Sequence, residues 1–312
     1  MVSRALPFLL LVFALTPATA NAAVSHKKAI WGPAEIDSAS QFPVYKDLGA
    51  GIYQTTLNWA EVASLEPMDK SDLEDPGYDW PAELDTVISE AKQAGIQVAL
   101  TVTGAPEWAN GDKPATYGPT KSADFAAFVA VAAKRYPTVH LWSIWDSPSQ
   151  KSSFHGASAT KYAQLLDGAY VKLKAKSKKN LVIGGNSTSA TASKWISKLK
   201  LPNGKAPRMD MYGHDASASK PPTSAGLKAL EKRVATLGKG LDLYLSPVGL
   251  TLSPTKQAAW LKSALKVTKA DKNVYTFGYR GLIDDSNVPS TYKGLLDVNG
   301  TKKAAFAAFK NG

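Results

Sequence analysis

Short apolar segments alternate with longer segments of helical period along most of this chain. The short segments are rich in β-branched and aromatic residues, which is typical of buried strands. We place about eight of them, near residues 29–31, 51–57, 97–102, 141–145, 181–185, 209–214, 243–248 and 274–279. The longer segments include 81–94 and 122–133, where apolar residues recur on one helical face. Gly95 follows the first of these as a C-cap residue would.

The alternation of these two segment types predicts βα units wound into one parallel sheet. No change of composition and no linker divides residues 24–312. An α/β domain of this size fits a (β/α)8 barrel, which typically takes about 250 residues. We therefore predict a single (β/α)8 barrel over residues 24–312, with its reactive groups at the carboxyl ends of the strands.

The first 23 residues have the features of a secretion signal rather than of a folded element. Arg4 supplies a positive charge, residues 5–15 are apolar, and residues 18–23 are small enough for a cleavage site. No segment of the chain is long and apolar enough to cross a bilayer. We expect a signal peptide at residues 1–23, no membrane span, and a secreted or extracellular protein, the cell surface included.

The chain contains no cysteine, which excludes disulfides, thiolate catalysis and cysteine-bound zinc. Its 4 histidines are scattered, without a His-x-His or His-Glu-x-x-His spacing. We therefore predict neither a metal site nor a cofactor.

The charge balance is basic, with 37 Lys and Arg against 26 Asp and Glu. Much of the excess is lysine, in the run 172–179 and at Lys194, Lys198, Lys200 and Lys205. Two interpretations stay open: solvated helix faces, or retention on an anionic wall polymer or acidic polysaccharide. Nucleic acid is not expected as a partner, because arginine is scarce and no binding motif is present. The oligomeric state stays open.

The segment Leu141-Trp-Ser-Ile-Trp-Asp-Ser-Pro-Ser149 contains the fourth predicted strand and the turn after it. It resembles the Trp-x-Ile-Trp-Asn-Glu-Pro-Asn signature of retaining clan A glycoside hydrolases, which are (β/α)8 barrels. In that family the glutamate is the catalytic acid/base, and the asparagine before it holds the sugar 2-hydroxyl. The resemblance therefore puts Ser147 at the acid/base position and Asp146 at the asparagine position.

A second element of that family, Thr-Glu-Phe-Gly at the end of the seventh strand, carries the nucleophile. Its best match here is Ser246-Pro247-Val248-Gly249, which puts Pro247 at the nucleophile position. Further ordered landmarks resemble the family at residues 58–62, 78–85, 103–109, 210–214 and 292–304. The chain is thus similar to a degenerate clan A glycosidase that lacks both catalytic glutamates.

Several aromatic and polar residues fall at predicted strand ends or in the loops beyond them, where the barrel mouth would be. Aromatic faces stack on pyranose rings while neighbouring polar groups bind the hydroxyls. We predict sugar contacts from Trp31, Asn58, Trp59, Trp108, Trp145, His214 and Tyr279. Core packing is the alternative role for Trp145, and structural hydrogen bonding is the alternative for His214.

Retaining hydrolysis needs two carboxyl groups about 5 Å apart, and neither is present at its expected position. We therefore expect a pseudo-glycosidase that binds an oligosaccharide or polysaccharide, anionic polymers included, without cleaving it. One alternative is an active hydrolase with relocated carboxylates, Asp146 acting with Asp215, Asp284 or Glu107. Another is a structural barrel that binds nothing. Two mouth-facing carboxylates within about 10 Å of each other would favour the enzyme.

Overall fold

The computed structural model of the chain describes residues 24–156, 158–216, 218–285 and 293–312. Its strands are β1 (Ser25–Trp31), β2 (Glu35–Ile36), β3 (Ala39–Ser40), β4 (Ala50–Asn58), β5 (Gln97–Thr103), β6 (Leu141–Ile144), β7 (Leu181–Thr188), β8 (Met211–Asp215), β9 (Asp242–Val248) and β10 (Val274–Arg280). β2 and β3 form a short antiparallel hairpin, and the other eight strands close into a parallel barrel. The predicted signal peptide, residues 1–23, lies outside the described residues.

Helices alternate with these strands as α1 (Phe42–Asp47), α2 (Trp59–Val62), α3 (Ala82–Ala94), α4 (Glu107–Asn110), α5 (Ser122–Arg135), α6 (Ala159–Lys176), α7 (Ala192–Lys198), α8 (Ser224–Val234), α9 (Pro254–Ala270) and α10 (Ala304–Asn311). The four-residue helices α2 and α4 follow the ends of β4 and β5 directly or after a short turn, and the remaining eight run back along the barrel. The predicted (β/α)8 barrel is confirmed. Gly95 caps α3 with a φ of +76°, a left-handed conformation that glycine adopts without steric cost.

The predicted strands are all present, with small differences at their ends. β4 pairs with β5 in register from Ile52 opposite Gln97 to Asn58 opposite Thr103, and pairing between β1 and β10 closes the barrel. β6 ends at Ile144, one residue earlier than predicted, because Trp145 takes a φ of +64° and leaves the strand. That turn begins the segment that resembles the glycosidase signature.

The barrel interior is filled in layers, as parallel strands with alternating side chains require. An apolar layer takes one buried residue from each of seven strands: Ala29, Ile52, Ala99, Leu141, Ile183, Met211 and Tyr244. Two residues further along their strands, Gln54, Thr101 and Ser143 form a buried polar layer. Gln54 donates to Thr101 Oγ1 (3.1 Å) and accepts from the Tyr244 hydroxyl (3.0 Å). The apolar interior therefore gives way to hydrogen-bonding groups towards the carboxyl ends of the strands.

No helix in the described part of the chain has the length and hydropathy needed to cross a membrane.

Candidate functional site

A cleft of about 540 Å³ opens at the carboxyl ends of the barrel strands. The buried polar layer of Gln54, Thr101 and Ser143 forms its floor. Most of its walls are polar, and besides the floor they comprise Trp31, Trp145, Asp146, Ser147, Gln150, Asn186, Thr188, Ser189, Ala190, Asp215, Ala216, Ser246, Val248, Gly249, Arg280 and Lys293. The cleft therefore offers hydroxyl, amide, carboxylate and cationic groups together.

Three non-glycine residues of the cleft have left-handed backbone conformations: Trp145 (φ +64°), Ser147 (φ +44°) and Asn186 (φ +40°). Such conformations are costly for residues with a Cβ, and they concentrate at functional sites. The Asn186 amide connects β7 to β6 and to the turn after it, since it donates to Ser143 Oγ (3.0 Å) and to the Trp145 carbonyl (2.9 Å). The strain is thus confined to the turn after β6 and to the part of β7 that faces it.

Asp146, Ser147 and Asp215 form a hydrogen-bonded trio in this cleft. Ser147 Oγ lies 3.2 Å from Asp146 Oδ1 and 3.1 Å from Asp215 Oδ2. Because one atom lies 3.2 Å from the first oxygen and 3.1 Å from the second, those two oxygens are at most 6.3 Å apart. A hydroxyl has one hydrogen and donates to one carboxylate only. Both contacts are hydrogen bonds at once only when one carboxyl is protonated and donates to Ser147.

Asp215 is the more buried carboxyl of the trio. Burial raises the pKa of its carboxyl above the ordinary value of 3.8, and the nearby charge of Asp146 acts in the same direction. Hydrogen bonds from Ser147 and Ser246 and the positive charge of Arg280 oppose the rise without cancelling it. Asp146, by contrast, is exposed to solvent, so the two carboxyl groups lie in different environments.

The cationic side of the cleft is built around Trp31. The guanidinium carbon of Arg280 lies 3.9 Å from the centroid of a Trp31 ring, a close cation–π contact. Lys293 also borders the cleft. Two cations therefore share the space with the two carboxylates of the trio.

Of the predicted sugar contacts, the structure brings Trp31 and Trp145 to the cleft. Trp31 is partly exposed at the end of β1. Trp145 is fully buried: its Nε1 donates to the Ser153 carbonyl (2.8 Å) and its ring packs against Phe154. It shapes the wall and has no exposed ring face, which is the packing role given above as its alternative.

The structure places Asn58, Trp59 and Trp108 away from the cleft. α2 begins directly after β4, with the Asn58 side chain capping it, so the chain turns back towards the helices. Trp59 is 1% exposed and stacks on Phe128 at 5.6 Å. Trp108 donates to the Ala63 carbonyl (2.8 Å) and meets Trp59 edge-on. The expectation that these three residues line the cleft is therefore corrected: they lie between the barrel and its helices or cap one of them.

His214 and Tyr279 also lie outside the cleft. The His214 ring lies between two hydroxyls, with Nδ1 3.3 Å from Ser187 Oγ and Nε2 3.3 Å from Ser189 Oγ. Burial lowers the pKa of His214 to about 4, so the imidazole is neutral at neutral pH. It borders a neighbouring pocket of about 360 Å³. Tyr279 is fully buried and donates to the Lys293 carbonyl (2.6 Å).

Among the carboxylates considered as relocated catalysts, only Asp215 joins Asp146 in the cleft. Asp284 forms an ion pair with Lys303 at 2.9 Å and accepts from the backbone of Gly294. Glu107 is exposed on α4. Neither of these two borders the cleft, so the structure leaves one carboxylate pair to consider.

The cleft contains residues that the sequence did not single out, notably Gln54, Asn186, Ser189, Arg280 and Lys293. Period-two alternation along β4 was the available signal for Gln54, because its side chain shares the barrel interior with Ile52. Asn186 had the weaker signal of a polar residue following an apolar strand. Within the part of the chain that the structure describes, no group of three or more His, Asp or Glu side chains is placed to hold a metal ion.

The fold is a (β/α)8 barrel with a cleft at the carboxyl ends of its strands. Neither a family model nor a curated protein sequence matches the chain. Solved structures do. A family 39 glycoside hydrolase from the gut symbiont Bacteroides cellulosilyticus WH2 superposes with a TM-score of 0.74 at 17% sequence identity, covering 92% of this chain and 63% of that one.

Two further similar structures carry the same fold. A monomeric beta-xylosidase from Caulobacter crescentus CB15 has a TM-score of 0.68 at 17% identity, covering 93% of this chain and 68% of that one. Xylanase 10B from Thermotoga maritima has a TM-score of 0.61 at 16% identity, covering 91% and 93%. The resemblance to clan A glycoside hydrolases therefore extends from the motifs to the fold. Ser147 follows β6, the fourth barrel strand, and Pro247 lies in β9, the seventh.

Proposed function

We propose that this chain is a pseudo-glycosidase, which binds an oligosaccharide or polysaccharide in the barrel-mouth cleft and has lost retaining hydrolysis. One observation carries the proposal: a serine and a proline stand where the family resemblance puts the two catalytic carboxylates, at the ends of the fourth and seventh barrel strands. Export through the predicted signal at residues 1–23 belongs to the same proposal. N-terminal sequencing of the secreted protein tests that part.

The lost groups are the ones that the chemistry requires. A retaining glycosidase protonates the leaving oxygen with one carboxyl group and attacks the anomeric carbon with another, about 5–5.5 Å away. The Ser147 hydroxyl is too weak an acid to replace the carboxyl group that protonates the leaving oxygen. Loss of that carboxyl group alone costs on the order of 10²- to 10⁴-fold in rate. Proline has no nucleophilic side chain, so the covalent route is also lost.

Several properties of the cleft support the proposal that it binds carbohydrate. Its volume falls within the range of about 300–1,000 Å³ that is usual for small-ligand pockets. Side-chain hydroxyls, amides and charges can bind sugar hydroxyls, and Trp31 offers a partly exposed aromatic ring at the rim. Arg280 covers part of that ring, so a bound sugar either takes the free face of Trp31 or displaces the guanidinium.

A glycan array tests binding, with the mature protein and two variants that each replace one tryptophan by alanine. Trp31→Ala removes an aromatic ring from the cleft, whereas Trp108→Ala removes one from outside it. We expect Trp31→Ala to weaken binding about fivefold or more and Trp108→Ala to leave the affinity of the folded protein unchanged. A protein that retains no glycan would support the structural-barrel alternative. A greater loss of glycan affinity in Trp108→Ala than in Trp31→Ala would show that the binding site lies outside the cleft.

The pairing of Asp146 with Asp215 favours a second candidate function, a hydrolase with relocated carboxylates. The two carboxylate oxygens that contact Ser147 are at most 6.3 Å apart. This distance is within the limit of about 10 Å given in the sequence analysis and approaches the separation of a retaining pair. The raised pKa of Asp215 suits a general acid. Against this, the Ser147 hydroxyl occupies the space between the carboxyl groups, where the anomeric carbon and its leaving oxygen would have to lie. We therefore rank this candidate second.

Product analysis with Asp146→Asn and Asp215→Asn separates the two functions. Asp284→Asn is the matched control, because that carboxylate lies outside the cleft. A working pair would give product with the wild type and with Asp284→Asn, and none with either cleft variant. The pseudo-glycosidase gives the same background with all four proteins.

A further inference from the structure

Basic residues collect at one end of the barrel. In a (β/α)8 barrel each helix runs back from the carboxyl end of a strand, so the helix ends where the next strand begins. We call that end the amino-terminal face and define it by the last turns of α1, α3 and α5 to α10 and by the connections from each helix to the next strand. All eight last turns carry a lysine or arginine: Lys46, Lys92, Lys134, Arg135, Lys174, Lys176, Lys198, Lys232, Arg233, Lys269 and Lys310.

The connections add further cations to this face. Six exposed lysines lie in them: Lys178, Lys179, Lys200, Lys205, Lys239 and Lys272. The acidic residues of the same face are largely neutralised, because Asp47 pairs with Lys302 and Lys310, Asp210 with Lys174, and Asp271 with Lys228. The face as a whole is therefore strongly positive.

Acidic residues are concentrated in one loop and at the starts of several helices. The connection between α2 and α3 carries Glu66, Asp69, Asp72, Glu74, Asp75 and Asp79. Acidic residues also occupy the first turns of four helices, as Glu61, Glu83, Asp85, Glu107 and Asp124. Part of this acidic group lies beside the last turns of α5 and α6, because Asp85 pairs with Arg135 and Asp69 borders one surface pocket with Lys172 and Lys176. The basic surface of the amino-terminal face is therefore carried mainly by the exposed lysines of the connections after α6 and α7.

The helix dipole explains only part of this pattern. A cation in the last turn is stabilised by the partial negative charge of the helix C-terminus, and that effect fades beyond the first and last turns. Lys178 and Lys179 follow the end of α6 at Lys176, and Lys200 and Lys205 lie beyond α7. These lysines therefore give no helix stabilisation that would account for their placement.

We propose that the amino-terminal face is a docking surface for an acidic polysaccharide. The geometry then orients the molecule, because the cleft opens at the opposite end of the barrel and stays free while the basic face is engaged. This inference goes beyond the proposed function, since it uses no residue of the cleft. A failure of either proposal leaves the other standing.

Two features favour a polysaccharide over a membrane or a nucleic acid. Among the described residues, the exposed large apolar side chains are Leu65, Met68, Val171 and Val298, and none lies in the last turns or connections of this face. A membrane-binding surface would present apolar groups for insertion. Lysine outnumbers arginine here, whereas arginine is preferred for the bidentate recognition of phosphates. Scattered point charges suit a hydrated polymer of carboxylate or sulfate groups.

The test measures retention of the folded protein on immobilised polygalacturonate, with neutral dextran as the reference. The variant replaces four exposed lysines of the amino-terminal face by glutamine: K178Q, K179Q, K200Q and K205Q. The matched control makes the same charge change at exposed lysines of the carboxyl-terminal face: K113Q, K121Q, K151Q and K256Q. Because exposed ion pairs each contribute modestly, we expect about tenfold weaker binding for the first variant and less than twofold for the control.

Raising the ionic strength from about 0.05 to 0.5 M should release the wild type, since surface charges are screened over that range. Equal losses in the two variants would show that net charge alone decides binding, which overturns the docking surface. Absence of binding beyond the dextran level would overturn it as well. So would preferential retention on phosphatidylglycerol vesicles or on duplex DNA, which would assign the face to a membrane or to nucleic acid.

Discussion

Ser147 Oγ lies 3.1 Å from Asp215 Oδ2, so the residue at the expected acid/base position is hydrogen-bonded to a carboxyl group from another strand. Asp146 shares the same hydroxyl. The two carboxyl groups of this trio therefore lie in the turn after β6 and at the end of β8. The same hydroxyl therefore lies within hydrogen-bonding distance of both aspartates.

Asp215→Asn should stabilise the protein at neutral pH. The folded-state pKa of Asp215 is raised by burial, so the protonated carboxyl suits the fold and its contribution is lost as the pH rises through that pKa. Asparagine keeps the shape without the charge. We expect the variant to have a higher Tm than the wild type at pH 8 and a diminishing advantage as the pH falls towards 4. Scanning calorimetry from pH 4 to 8 measures this, and a constant difference would contradict the assignment.

His214 should make the protein lose stability in mild acid. Its folded-state pKa of about 4 lies below the ordinary 6.5, so the unfolded state takes up a proton first as the pH falls. The contribution is complete above pH 6.5 and is lost between pH 6.5 and 4. By linkage it amounts to about 3 kcal/mol of unfolding free energy. Urea titrations of His214→Gln should show a flatter pH dependence in that window, and a slope equal to that of the wild type would refute this account.

The periodic pattern was enough to predict the barrel, because each strand and helix must bury a face and the spacing of its apolar residues shows which one. It was not enough to place the tryptophans. Trp31 ends one predicted strand and Trp59 follows the next, yet α2 starts at Trp59 and turns its ring into the helix layer. A position at the end of a strand shows where a residue lies along the barrel axis, but it does not show in which direction the side chain points.

The sequence offered three partners for Asp146, and it could not specify that Asp215 is the one that lies in the cleft with it. Asp146, in the turn after β6, and Asp215, at the end of β8, are 69 positions apart. Both contact the hydroxyl of Ser147, whose backbone has a left-handed φ of +44°. Nothing in the local sequence requires that conformation of a serine. The motif predicted which residues occupy the family's catalytic positions, and only the fold shows which groups they meet.

Trp59→Ala and Trp31→Ala should differ sharply in stability. Trp59 is 1% exposed within an aromatic cluster, so its truncation should cost about 3–5 kcal/mol of unfolding free energy. Trp31 lies at the cleft rim, and its truncation should cost about 1 kcal/mol or less. Chemical denaturation measures both values. Comparable losses would mean that Trp31 is part of the core and not of a binding surface.

Gly213→Ala should disturb the cleft by displacing Asn186, which lines it. A Cβ at Gly213 would lie 1.7 Å from Asn186 Oδ1, which must then move together with the amide that holds Ser143 and the Trp145 carbonyl. We expect a loss of about 1–3 kcal/mol in stability and weaker glycan binding. Gly238→Ala is the control, because its Cβ would meet neighbours only at 3.5 Å or more. Equal behaviour of the two variants would show that Asn186 does not organise the site.

The most direct test of the account is to follow one glycan that the cleft retains by proton NMR, in the presence of a stoichiometric amount of the mature protein. The anomeric signals report binding and hydrolysis in the same sample. A pseudo-glycosidase broadens or shifts those signals, loses the effect with Trp31→Ala, and releases no new reducing end above the background of Asp146→Asn and Asp215→Asn. Reducing ends that accumulate with the wild type and vanish with either aspartate variant would show that the chain is a working hydrolase.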